Sequence, residues 1–254
     1  MLEVAGFNIT PVKSTALQRP DVLDLRREGA VGDRRFLFMR DDGSRLSGIS
    51  KASLMPIQAT YDAVGERLTL SFADGGRAQG DARPTGPAKT VALYDRTISV
   101  HAVDEGLTRA VRAQIGDDTV TLARADEPDS AGGIHRASIL SRASIRDVGR
   151  RTGDEALDPR RFRMLIEVEG CHPFEEDTWE GKRVRFGDAV LRIGDRMPRC
   201  VMTTLDPDTG VQNARVLDAL AQHRKTGEKL YLGMYAEVER PGLIRRGDPV
   251  AVLA

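Results

Sequence analysis

Cysteine is nearly absent from this chain: two in 254 residues, Cys171 and Cys200. Two thiols cannot build the framework of a disulfide-stapled secreted domain. Lysine is also scarce, supplying 6 of the 38 basic residues and leaving 32 to arginine. Aromatic residues make up 5%, with a single tryptophan at position 179. Net charge is missing altogether, 38 bases against 38 acids, which removes any bulk attraction to a polyanion such as nucleic acid. No apolar run approaches the ~18 residues that span a bilayer, and the N-terminus carries no signal-peptide pattern. Together these absences predict a cytoplasmic chain with reduced thiols, and neither a nucleic acid nor a membrane as partner.

Several chemical signatures are missing too. There is no GxGxxG, no GxxxxGK[ST], no HExxH, no CxxC and no GxSxG in the sequence. That excludes the simple dinucleotide, nucleoside triphosphate, zinc-protease and serine-hydrolase readings.

What is present centres on residues 196–210, where Met197-Pro198-Arg199-Cys200 leads into Thr203-Thr204 and an Asp206-Pro207-Asp208-Thr209-Gly210 turn. A thiol beside a fixed cation has its thiolate favoured, and the thiolate attacks electrophiles or binds metals. Proline interrupts a strand ladder just before the sulfur, which suits a presented residue. A buried structural cysteine is the competing reading, since free cysteine is among the most buried residue types. Residues 171–176, with Cys171, His172, Glu175 and Glu176, have the right types for a zinc or iron site. No second Cys/His cluster completes a set, so no such site is expected. Glu175-Glu176-Asp177 reads as a solvated loop, and Trp179 as a packed side chain.

The rest of the chain reads as many short strands with three helices. Helix signals run over 104–115, where Asp104 caps, Leu107, Val111 and Ile115 share a face and Gly116 stops. A second helix starts near Ser141, and a third covers 213–225 with Val216, Leu217, Leu220 and Ala221 inward. Hairpins are expected at Asp41-Asp42-Gly43 and Gly187-Asp188, a turn around Asp95, a loop at 80–89 and strands at 163–168, 232–239 and 249–253. Alternating strand–helix–strand units are missing from this reading, so a doubly wound sheet is not expected. The fold class is α+β, mainly β, with barrel-like sheets. The polar, turn-rich passage 123–133 places a boundary between a β-rich unit, 1–122, and a second unit, 123–254. Lys13, Arg34, Arg163 and Arg199 fall at the ends of different expected strands. Each alone reads as a surface charge, but four converging cations are how an anionic group is held.

At this point four separated motifs resemble a known family. Arg161-Phe162-Arg163, then 169–179, then Arg199-Cys200 through Gly210, then Gly247-Asp248-Pro249-Val250 are similar to a MOSC domain. Pro11-Val12-Lys13-Ser14 and Gly32-Asp33-Arg34-Arg35 resemble the β-rich domain that precedes it. The pattern is similar to bacterial counterparts of the mitochondrial amidoxime-reducing components. The resemblance implies a MOSC β-barrel (123–254) packed against an N-terminal β-barrel-like domain (1–122), with the molybdenum cofactor (Mo-molybdopterin) between them. It implies that Cys200 ligates molybdenum, and that Lys13, Ser14, Arg34, Arg163 and Arg199 hold the pterin and its phosphate. It implies reduction of N-hydroxylated small molecules with electrons from a separate reductase. The family also carries pyridoxal phosphate binding as an association. One departure stands out: the reductases read Arg-Phe-Arg-Pro-Asn where this chain reads Arg161-Phe162-Arg163-Met164-Leu165, so Leu165 replaces an amide that would contact the cofactor. That departure keeps open an alternative, a non-redox carrier of the cofactor or of sulfur as a Cys200 persulfide.

Overall fold

The computed structural model describes residues 1–93, 96–127 and 135–253. The expected turn at Asp95 and residues 128–133 of the turn-rich passage lie outside the described residues. The fold is mainly β. Its largest sheet has eight strands, and its ladder runs Glu3–Phe7, Ile166–Glu169, Ala137–Ser141, Lys229–Arg240, Ala189–Pro198, Arg183–Phe186, Val250–Leu253, with Lys225–Thr226 beside Lys229–Arg240. The two ends meet: the Val4 N–H donates to the Asp248 carbonyl at 2.9 Å, and the Val250 N–H to the Leu2 carbonyl at 3.0 Å. The sheet thus nearly closes on itself as a barrel, which removes most of its exposed edge. Strand periodicity explains the filling. Arg183–Phe186 alternates exposed and buried residues, sending Val184 and Phe186 inward to join Phe7, Ile139, Ile166, Leu191 and Ile193.

A five-stranded sheet, Arg45–Leu46, Phe36–Arg40, Val120–Ala125, Arg96–Ala102, Thr85–Leu93, lies in the N-terminal half beside the meander Gln58–Asp62, Arg67–Ser71, Arg77–Asp81. Helix α1 (Glu105–Ile115) sets Leu107, Val111 and Ile115 into a core with Phe36, Phe38, Leu68 and Leu70. It forms where the sequence places it, because the Asp104 carboxylate accepts from the Gly106 and Leu107 N–H groups and Gly116 takes a left-handed φ of 62°. Helix α2 (Arg142–Thr152) is capped by the Ser141 hydroxyl. The chain's first thirty residues serve both halves. Glu3–Phe7 pairs with Ile166–Glu169, Val22–Arg26 pairs with Gly242–Arg245, and Val12 bridges Phe36.

Several expectations need correcting. One strand–helix–strand crossover does exist: Ala137–Ser141, α2 and then Ile166–Glu169, the two strands parallel with Ile139 opposite Ile166. Helix α3 is shorter than 213–225, spanning Val216–His223, and Ala221 faces solvent. Lys225–Thr226 turns back about Gly227 to pair with Leu230 and Lys229. The expected loop at 80–89 is largely strand, since Thr85–Leu93 forms a sheet edge. Its residues 85–90 are exposed on both faces, so no alternation marks it, and an edge tolerates Pro87. The acidic run is not a solvated loop. Glu176 is fully buried, accepting from the Ser144 hydroxyl at 2.7 Å and the Ser141 N–H at 3.2 Å, and burial raises its pKa. Asp177 accepts from Arg224 at 2.6 Å.

Candidate functional site

Three turns and one strand end form the site. After the Val12 bridge the Lys13 N–H donates to the Phe36 carbonyl at 2.8 Å, and Ser14 takes a φ of 77°. In the second turn Arg34 has a φ of 49°; its N–H donates to the Thr10 carbonyl at 2.6 Å, and the Asp33 carboxylate accepts the Thr10 N–H at 2.9 Å. The third is the 3-10 turn Pro159–Phe162, closed by Arg163 with a φ of 52° rather than by the extended residue expected at that position. The side chains then cross-link these turns. Arg34 Nη2 donates to the Arg163 carbonyl at 3.1 Å, and Arg163 Nη2 donates to the Thr15 carbonyl at 2.8 Å.

Left-handed φ is disfavoured for residues with a Cβ and costs about 1–3 kcal/mol where surroundings enforce it. Among the described residues five non-glycines adopt it, and Ser14, Arg34 and Arg163 are three of them. Strained backbone is concentrated where these turns meet.

The strand Ala189–Pro198 supplies the fourth wall. Arg199 is tied by its N–H to the Leu230 carbonyl at 2.7 Å, and Cys200 opens the 3-10 turn Val201–Thr204. Lys13, Ser14, Arg34, Arg163, Arg199 and Cys200, the six residues named from the sequence, all line one cleft of about 530 Å³. The two cysteines differ. Cys171 is half-buried and its pKa is pushed up to about 11, chiefly by burial, which keeps it a thiol. Cys200 is exposed to the cleft, so the competing reading of a buried core cysteine fails.

Lys13 is not the surface charge its sequence context suggests; it is 7% exposed. Burial, then the charges of Arg34, Arg45 and Arg163, hold its pKa well below the usual lysine range, with Asp33 pulling the other way. A cleft that penalises its own ammonium favours an anionic occupant, whose charge would offset the crowding. The Arg199 guanidinium donates to the Phe162 carbonyl at 2.5 Å and stands over the Phe162 ring, 5.5 Å from its centroid. Next to it, buried Arg161 donates to Asn213 Oδ1 at 2.7 Å, and Arg160 grips both Asp208 oxygens at 2.7 Å. The turn 206–210 that follows Cys200 is therefore clamped to the turn that carries Arg163.

Sequence reasoning missed Arg45, Arg136, His135 and Tyr235, which line the same cleft. Tyr235 sits opposite Ser138 in the barrel ladder, a register that sequence spacing alone does not reveal. Leu165 also lines the cleft, 3% exposed, and its N–H donates to the Ser138 hydroxyl at 3.0 Å. Among the described residues no group of three or more His, Cys, Asp or Glu side chains gathers as for a metal ion. No described helix is long and apolar enough to cross a membrane.

Residues 128–251 match the MOSC domain. The chain is 37% identical to bovine (Bos taurus) mitochondrial amidoxime reducing component 2 over 286 aligned positions, covering 97% of this chain and 82% of the relative. Human (Homo sapiens) mitochondrial amidoxime-reducing component 1 is 36% identical over 124 residues, 45% of this chain and 36% of the relative. Rat (Rattus norvegicus) mitochondrial amidoxime reducing component 2 is 38% identical over 121 residues, 44% and 35%. In the human and rat alignments the match spans little more than a third of the relative. The crystal structure of the YuaD protein from Bacillus subtilis shares the fold, with a TM-score of 0.50 at 16% identity, covering 98% of this chain and 94% of that one. Fold and sequence agree on a class: this is a MOSC-domain protein. It belongs to the family that includes the mitochondrial amidoxime-reducing components.

Proposed function

We propose that the chain is a molybdenum-cofactor-binding oxidoreductase that reduces N-hydroxylated small molecules, with Cys200 as the protein ligand to the metal. The observation that carries the proposal is one exposed thiol sharing a cleft with Lys13, Arg34, Arg163 and Arg199, drawn from distant parts of the chain. The donor set suits the group. A soft thiolate matches molybdenum whose other ligands are dithiolene sulfurs, and a single cysteine is enough because the pterin brings those sulfurs with it. Lys13, Arg34 and Arg163 would hold the phosphate, with Ser14 assisting. The left-handed turns fix their approach, and an anion would lift the penalty on the Lys13 ammonium. Arg199, held on Phe162, would sit beside the ligand cysteine. Leu165 contributes apolar surface where the reductases carry an amide, so the cationic side of the cleft must supply the polar grip.

When bound, the cofactor would supply two-electron oxygen-atom chemistry, with electrons from a separate reductase. The test is molybdenum and pterin content of protein made in a cofactor-competent host, together with reduction of benzamidoxime by a reduced viologen. About one metal and one pterin per chain are expected, both lost in Cys200→Ala.

A second reading, sulfur carried as a persulfide on Cys200, is favoured by the exposure of that thiol. Incubation with a cysteine desulfurase followed by mass spectrometry tests it, and an unmodified Cys200 rules it out.

A further inference from the structure

His135 stands on the wall of the same cleft, just ahead of the strand Ala137–Ser141. Its ring lies against that of Tyr235, with centroids 4.1 Å apart and planes 26° from parallel. Its Nδ1 is 2.9 Å from Glu237 Oε1. The ladder explains the grouping. Ser138 pairs with Tyr235 and Ala137 with Ala236, and Tyr235 and Glu237 are two apart on one strand, hence on one face. A carboxylate that accepts Nδ1–H fixes the tautomer and supports the imidazolium. The nitrogen left for a ligand in the cleft is Nε2.

Reduction of an N–OH group consumes protons as well as electrons: C=N–OH + 2e⁻ + 2H⁺ gives C=NH + H₂O. Few groups lining the cleft are left to hand over a proton, since in the reading above Lys13 holds the phosphate and Cys200 the metal. Arginines do not release theirs, and the Asp33 carboxylate is paired with Arg34. His135 is the one histidine among the described lining residues, and imidazole is the side chain whose ordinary titration falls near neutral pH. Glu28, Arg136, Tyr235 and Glu237 are the other titratable groups on this wall or beside the ring.

We propose that His135, oriented by Glu237 and seated on Tyr235, donates a proton to the substrate as its N–O bond breaks. This rests on the reductive reading above. One proton comes from His135 Nε2 and the second is a solvent proton taken up from bulk, while the two electrons come from the external reductant, a reductase or a reduced viologen. The oxygen leaves finally as water. His135 is reprotonated from solvent, which the half-exposed Glu237 side chain touches.

Two measurements test this. In cofactor-free protein, ¹⁵N NMR of the imidazole follows His135 directly: Glu237→Gln is expected to loosen the Nδ1–H tautomer that the 2.9 Å contact fixes, and unchanged resonances overturn the orienting role. In loaded enzyme with reduced viologen and benzamidoxime, His135→Gln is expected to lose about 100-fold in kcat with KM changed less than threefold. The pH profile of the His135→Gln enzyme is expected to differ in shape from that of wild type, with a smaller change in Glu237→Gln. His135→Asn serves as a second variant, and both are compared at matched thermal stability. A His135→Gln enzyme within twofold of wild type with the same pH profile overturns the proton role alone. Loaded wild-type enzyme inactive toward benzamidoxime overturns the reductive reading beneath it.

Discussion

Lys13 is the side chain whose energy depends most on what fills the cleft. Its pKa in the folded protein lies below 10.5, so between the folded value and 10.5 the unfolded chain binds more protons, and this group makes stability rise with pH across that window. Below it, the buried ammonium is a standing cost. Lys13→Met is therefore expected to raise the thermal stability of cofactor-free protein near neutral pH by about 1 kcal/mol, with the gap over wild type shrinking toward pH 10.5. The same substitution is expected to abolish stabilisation by inorganic phosphate, which in wild type reaches about 2.7 kcal/mol at a hundredfold excess over Kd. Differential scanning calorimetry at several pH values, with and without phosphate, reads both. Lys13 was nameable from the sequence as a strand-end cation, but its burial was not, because burial depends on Arg34 and Arg163 arriving from elsewhere in the chain.

At the scale of elements, the 3-10 turn Pro159–Phe162 and the turn after Cys200 act as one unit. Buried Arg161 reaches Asn213 and Arg160 grips Asp208. Arg161→Ala is expected to cost about 1–3 kcal/mol, since it removes a buried guanidinium and leaves the buried Thr204 carbonyl without that donor, and to speed alkylation of Cys200 as its turn loosens; chemical denaturation and mass spectrometry check the two effects. Gly210 closes the same turn at a φ of 73°, where an added Cβ would lie 2.6 Å from the Ala52 carbonyl oxygen. Gly210→Ala is expected to destabilise by about 1–3 kcal/mol. Elements with local signals were legible: Asp104 and Gly116 bracket α1, and Ser141 opens α2. The first part of the strand Thr85–Leu93 was not, because residues 85–90 are exposed on both faces and offer no alternation to read. Nor was the left-handed Arg163, whose neighbours suggest an extended chain. Glu176 was misread because its partners Ser141 and Ser144 lie more than thirty residues back.

For the molecule as a whole, the N-terminal strand matters out of proportion to its length. Glu3–Phe7 fills the seam between Ile166–Glu169 and the end of the strand Val250–Leu253, nearly closing the barrel. Deletion of residues 1–9 is expected to expose both flanking strands to hydrogen exchange and to abolish a single cooperative unfolding transition. The family and the mainly β class were legible in motif order and strand frequency. The convergence of the site was not, since spacing does not fix pairings such as that of Arg34 with the Arg163 carbonyl, 129 residues apart. On the function proposed above, this cleft holds a molybdenum cofactor through Cys200. Metal and pterin analysis of wild type, Cys200→Ala and Cys171→Ala, all from one cofactor-competent host, tests it most directly. About one molybdenum per chain is expected in wild type and Cys171→Ala and none in Cys200→Ala. A metal-free wild type, or a Cys200→Ala protein that keeps its full complement, would contradict it.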